Sequence, residues 1–166
     1  MSEETKASSP KQPLLETYLS TIAEQVSDKA VIEGYINEAN NHLPTLIIAK
    51  EFWHQVAELL KNDDSFKYDY LMNLSGVDYE SKMEVVYHLY SYSRDEFIAI
   101  KVETDRDGGS VNTVMDIWLG ADWQERETYD LLGINFTGRE ISRILLPDDW
   151  TGYPLRKDYK PYDEEV

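Results

Sequence analysis

Glu125, Glu127 and Asp130 stand close together, with Arg126 among them. A pair of carboxylates can act as acid and base or nucleophile in glycoside hydrolysis, so this cluster is the first place to look for chemistry. At about 100° per residue, Trp123, Arg126, Glu127 and Asp130 share one side of a helix. An arginine between two acids lowers their pKa values and keeps them charged, which is the wrong direction for a general acid. Tyr129, Leu131 and Leu132 point elsewhere around the axis, so the helix has no clean polar face and should be covered on several sides. Charges placed there must be paired. The cluster therefore predicts a Glu–Arg–Asp network that fixes an interface, and a free-standing carboxylate hydrolase is the distant alternative.

The other routes to chemistry are thin. Histidine occurs at 42, 54 and 88. Glu51 and His54 form one Glu-x-x-His, whereas a di-iron bundle needs two from different helices. His88, with alternating apolar neighbours, reads as a satisfied strand residue. Cysteine is absent, which excludes disulfides, thiolate metal sites and iron–sulfur ligation by this chain. Gly108-Gly109 lacks both the P-loop pattern and the dinucleotide fingerprint, and there is no nucleophile elbow. No catalytic, cofactor-binding or metal-binding residue is expected.

Charge narrows the partners. Lys and Arg total 16 against 32 Asp and Glu, a formal charge of −16. Such a surface repels phosphate backbones and anionic lipid; it serves solubility or meets a basic protein. No apolar run approaches the ~18–20 residues of a bilayer span. The first thirteen positions lack the basic start and apolar centre of a signal peptide, so membrane association is expected only through partners.

The elements that must position these residues read as one α+β domain, a mostly antiparallel sheet with flanking helices and an extended C-terminal arm. Positions 1–13 are expected to be flexible, 14–145 to form the domain, and 146–166 the arm. Leu15, Tyr18, Leu19, Ile22, Ala23 and Val26 have helical spacing, with Asp28 and Lys29 closing the helix. Val31–Ile36 and Thr45–Ala49 predict a hairpin, and Trp53, Val56, Ala57 and Leu60 a second helix. Tyr68–Leu74, Val85–Tyr92 and Phe97–Val102 predict three strands, the first ending near Gly76. Ser110 is the expected N-cap of a helix carrying Val111, Val114, Met115 and Trp118. Asp122 to Glu125 resembles a capping box opening the next helix, with Gly133 at its C′ position. From Leu146 on, Pro147, Pro154 and Pro161 impose extended geometry. Trp150, Tyr153, Leu155, Tyr159 and Tyr162 are too apolar for a solvated tail. The arm is expected on another protein's surface, with packing back on its own sheet as the alternative.

Three segments carry a family resemblance: Asp122-Trp-Gln-Glu-Arg-Glu-Thr-Tyr-Asp-Leu-Leu-Gly133, Arg143-Ile-Leu-Leu-Pro147, and Gly152-Tyr-Pro-Leu-Arg-Lys-Asp-Tyr159. Together they resemble the 30 kDa-subunit family of respiratory complex I, the C-type subunit of NADH-quinone oxidoreductase, of which the J-type subunit of plastoquinone enzymes is a close relative. Arg139 stands where that family usually has His or Lys, which keeps the charge. The resemblance implies a cofactor-free structural subunit of the peripheral arm, paired with the quinone-site D-type protein and beside other peripheral-arm subunits. FMN and the iron–sulfur clusters would lie in partner subunits, and the location would be the cytoplasmic side of a prokaryotic cell membrane. It also implies that Glu125, Arg126, Glu127, Asp130 and Arg143 form paired charges at or beside the partner interface. Trp150, Tyr153, Pro154, Leu155, Arg156, Lys157, Asp158 and Tyr159 would extend the contact. The equivalent subunit of an energy-converting membrane hydrogenase, or of an F420H2- or plastoquinone-type complex, is the alternative.

Overall fold

A computed structural model of the chain describes residues 9–161; the aromatic at Tyr162 and most of the 1–13 start lie outside the described residues. Helix α1 (Gln12–Gln25) carries Pro13 in its first turn, where the missing N–H costs nothing. The expected flexible start therefore gives way to helix at Gln12. Leu15, Tyr18 and Ile22 are its buried stripe, and it stops at Val26, short of Asp28. A hairpin of β1 (Val31–Asn37) and β2 (Leu43–Ile48) follows, as expected, and then α2 (Trp53–Asn62), which buries Trp53, Val56, Ala57 and Leu60.

Strands β3 (Tyr70–Asp78), β4 (Lys82–Ser91) and β5 (Glu96–Asp105) complete a sheet in the order β1-β2-β5-β4-β3. Every pairing is antiparallel except β2 with β5. β3 runs through Gly76 instead of ending there. A Cβ at Gly76 would lie 2.5 Å from Leu132 Cδ1, so the glycine lets helix α3 (Ala121–Leu132) approach the strand.

One expected helix is a strand. Ser110–Asn112 forms β6, parallel to β7 (Asn135–Thr137), with Val111 opposite Phe136. Val111, Val114 and Trp118 are buried as their spacing promises, yet the local donors are taken elsewhere. The Glu125 carboxylate accepts from Val114 N–H and the Thr113 hydroxyl, and Thr113 Oγ1 accepts from Met115 N–H. Side chains that capture backbone N–H groups compete with a helix for them.

All three helices share one apolar cluster with the inward residues Leu46, Leu74, Val85, Tyr87, Leu89 and Ile100. The helices therefore lie on one side of the sheet. The other side, with Tyr35, Ile47, Val86, His88, Tyr90, Phe97 and Lys101, has none of the three α-helices over it. Antiparallel sheets tolerate a bare face when it is polar; this one is rich in apolar and aromatic residues.

Candidate functional site: helix α3 and the chain that follows it

Helix α3 begins after Gly120, so Asp122 is a first-turn residue and not the cap of a capping box. Its C-terminus matches expectation: Gly133 has φ 77° and donates its N–H to the Tyr129 carbonyl. An added Cβ there would lie 2.5 Å from the Tyr153 ring, so this glycine both ends the helix and seats the following segment.

The expected single Glu–Arg–Asp network is two separate clusters, and Arg126 pairs with neither buried carboxylate. Glu125 is fully buried. Its carboxylate accepts from the Thr113 hydroxyl at 2.6 Å, from Val114 N–H at 2.8 Å and from Arg139 Nη1 at 3.2 Å. Arg139 also holds Asp122. Burial raises the Glu125 pKa, and these three contacts only partly offset it.

Asp130, also fully buried, behaves in the opposite way. One oxygen accepts from the consecutive N–H groups of Ile144, Leu145 and Leu146 at 3.0, 2.7 and 3.0 Å, and the other from Arg143 Nη1 at 2.6 Å. Burial alone would raise its pKa; the three N–H groups and Arg143 overcome that and hold it at about 2. Asp130 thus folds the 143–146 turn around itself.

Arg126 stacks on Trp123, 5.0 Å from the ring, and donates to Ser142 and to the carbonyl of Arg143. Glu127 is exposed and makes no ion pair among the described residues. The reason for the split is angular. Buried positions Glu125, Thr128 and Leu132 face β3 and the core, Asp130 faces the returning chain, and Trp123 and Glu127 face outward.

The segment after Leu146 has no regular structure but is fixed along its inner side. Leu155 N–H donates to the carbonyl of Leu131 at 3.0 Å, and Arg156 Nε to that of Leu132 at 2.7 Å. Arg156 also reaches Asp107 and the Arg106 carbonyl and stacks on Tyr153 at 4.7 Å. Lys157 N–H donates to Asp78, and Asp158 takes Arg106 at 2.6 Å. Arg106 simultaneously grips Asp78 through two bonds of 3.1 and 3.0 Å. That guanidinium, chiefly, holds the Asp78 carboxyl far below the usual range. Tyr159 rests against Gly152, and its N–H donates to the Arg156 carbonyl. The inner side therefore packs back on its own domain, the alternative reading of the arm, while Trp150 and Leu155 keep exposed surface.

No local sequence pattern marks Asp78, Arg106, Asp107 or Thr113, because each acts on residues distant in the chain. Arg139 is visible as a basic position downstream of α3. Beside Leu155, a groove of about 220 Å³ runs between α3 and the β3 edge, lined by Asn73–Gly76, Glu127, Thr128 and Leu131. The strand edge there is partly closed, because the Gln124 side chain accepts the Leu74 N–H.

The model of the family described as "Respiratory-chain NADH dehydrogenase, 30 Kd subunit" matches residues 46–165. The chain belongs to that family. Among curated relatives of this family member, the C subunit of NADH-quinone oxidoreductase from Roseiflexus sp. (strain RS-1) is 46% identical over 115 residues, 67% of this chain and 66% of its own length. The match thus spans just under two thirds of that relative. The Chlorobium phaeobacteroides protein of the same name is 40% identical over 128 residues, 74% of this chain and 77% of that one. A relative from Acidiphilium cryptum, named as the C/D subunit of NADH-quinone oxidoreductase, is 30% identical across 89% of this chain and only 27% of its own length. Among solved structures, a chain of an archaeal membrane-bound sulfane sulfur reductase superposes with TM-score 0.71 at 24% identity, covering 87% of this chain and 85% of that chain. The trypsin-resistant fragment of Nqo5 gives 0.59 at 23%, covering 74% and 98%. At such identities these two likenesses establish the fold.

Proposed function

We infer that this chain is a structural subunit of the peripheral arm of a proton-translocating NADH:quinone oxidoreductase. It carries no cofactor of its own and docks on the quinone-site D-type protein. FMN and iron–sulfur clusters in partner subunits carry the electrons from NADH to quinone. The complex holds the chain at the cytoplasmic side of a prokaryotic cell membrane. The observation that carries this reading is how the motif charges are used. Glu125, Asp130, Arg143 and Arg156 are all engaged in building α3 and the segment that follows it, which suits a scaffold; Glu127 faces the groove beside α3 without a second acid or base in its lining. The relative named as a C/D subunit supports the choice of partner, since its name joins a C-type and a D-type unit in one chain.

The docking side is the outward one: Trp123, Leu155 and the groove between α3 and β3. An affinity tag on this chain in its native host, with gentle solubilisation, should recover the D-type protein, FMN, iron–sulfur proteins and NADH:quinone activity. Leu155→Asp should reduce that recovery about tenfold, because Leu155 is 60% exposed and its loss of affinity comes from the contact alone. Recovery with a hydrogenase large subunit would move the chain to a sister assembly. A chain isolated without any redox partner overturns the reading.

A further inference from the structure

A second surface lies on the bare side of the sheet. Tyr70, Tyr90 and Phe97 are direct cross-strand neighbours on β3, β4 and β5. Their rings are joined into one row with Tyr92: Tyr90–Phe97 at 4.5 Å, Tyr90–Tyr92 at 5.0 Å and Tyr70–Tyr92 at 5.7 Å. Tyr92 is 65% exposed, Tyr70 46% and Phe97 41%, with Met72 beside them at 45%. Isolated exposed apolar residues are ordinary, but a contiguous patch of this kind marks an interaction site. The row borders a cavity of about 360 Å³ with Leu43, Met72 and Phe97 as apolar walls and Asn73 and His88 among its polar ones. Burial keeps His88 below its ordinary pKa, and Lys11 is the charged residue of the lining.

Charge around the row is unbalanced in a way the rest of the face is not. Further along the same face, Glu84 is paired with Lys101 and Glu103 with Lys82. At the aromatic end, Asp95 accepts only the Tyr90 hydroxyl at 2.7 Å, and Asp69 only the Tyr92 N–H at 3.2 Å. Among the described residues neither has a Lys or Arg within ion-pair distance, and both are exposed. Exposed tyrosine rings flanked by carboxylates are a complementary seat for a guanidinium, which stacks flat on an aromatic ring while donating to a carboxylate. The adjoining cavity offers an aliphatic side chain the apolar walls of Leu43, Met72 and Phe97.

We propose that this face docks an extended segment of a partner protein carrying an arginine next to an aliphatic residue. The arginine stacks on the Tyr70–Tyr90–Tyr92 row between Asp69 and Asp95, and the aliphatic side chain enters the cavity lined by Leu43, Met72 and Phe97. A basic partner segment also answers the formal charge of −16. The surface meets the groove beside α3 only at Asn73, and none of the aromatic row or its carboxylates belongs to that groove, so this proposal is tested independently of the docking described above.

The test is a benzoylphenylalanine cross-linker at Tyr92 in the full chain, expressed in the native host, with the cross-linked peptide sequenced by mass spectrometry. The expected product is one peptide of another protein with an arginine adjacent to Leu, Ile, Val or Met. Asp69→Asn combined with Asp95→Asn, a change compatible with the left-handed backbone at Asp95, should lower the cross-link yield about tenfold. Unchanged thermal unfolding of the double variant shows that the loss is one of contact. Cross-links only to a second copy of this chain, to a segment without arginine, or to nothing at all overturn the proposal. So does a yield the double variant leaves intact. A docking partner outside any redox complex would still support it while removing the function proposed above.

Discussion

The sheet with its first two helices and the 120–161 region are held together by different forces. In the former, Trp53, Tyr68, Tyr87, Leu89 and Ile100 are fully buried, and few charges enter. In the latter, the chain is irregular, and Asp130, Arg143, Arg156, Arg106 and Asp78 define its course. Apolar burial is non-directional and forgiving of small changes in geometry. A carboxylate holding three consecutive N–H groups fixes one backbone path and no other. The first region therefore sets how much stability the domain has, and the second sets where a surface is presented.

The largest test of that contrast is Asp130→Ala. Removing the carboxylate leaves three backbone donors and Arg143 without their acceptor, and breaking a buried pair in this way costs about 3–5 kcal/mol. Urea unfolding should show a loss of that size, equal to that of truncating a large core side chain. A loss below about 1 kcal/mol would mean that the turn at 143–146 is held by something other than Asp130.

Acid titration separates the two buried carboxylates of α3 by sign. Asp130 has a folded pKa of about 2 against an ordinary 3.8. Its stabilisation is present above the ordinary value and is lost as pH falls through the folded one, about 2 kcal/mol in total. Glu125 is raised by burial, so its contribution is present at low pH and declines as pH rises through its elevated value. Asp130→Asn should flatten the acid limb of the stability curve between about pH 4 and pH 2. Glu125→Gln should instead remove a decline on the neutral side of pH 4.5. Identical curves for the two variants would show that the opposite environments have no energetic consequence.

The same contrast explains what can be read from the chain. Periodicity reports burial, so α1, α2, the hairpin and the three long strands are legible from Leu15, Trp53 and the alternation through Ile98, Ile100 and Val102. Periodicity misassigns 110–118 because a strand followed by a turn also buries Val111, Val114 and Trp118, and the deciding acceptor, Glu125, lies more than ten positions away. Arg126 misleads for a similar reason. Adjacency places it between two acids, yet Glu125 selects Arg139 and Asp130 selects Arg143 once Gly133 turns the chain back. Partners set by chain return are invisible until the return itself is known.

The smallest effect is the most specific to the irregular region. Arg156→Ala removes donors to the Leu132 and Arg106 carbonyls and to Asp107, but takes little apolar surface from the core. Global unfolding should shift only slightly, while trypsin cleavage at Lys157 accelerates several-fold as the segment opens locally. Raising the salt concentration should produce a weaker version of the same acceleration in the unaltered chain, because the Arg156–Asp107 and Arg106–Asp158 pairs have exposed acidic partners. Ile100→Val, placed in the sheet core, should cost about 0.5–1.5 kcal/mol at any salt concentration and leave that cleavage unchanged. If Ile100→Val speeds cleavage as much as Arg156→Ala does, the two regions open as one cooperative unit, and the segment is an integral layer of the core instead of a separately clasped surface.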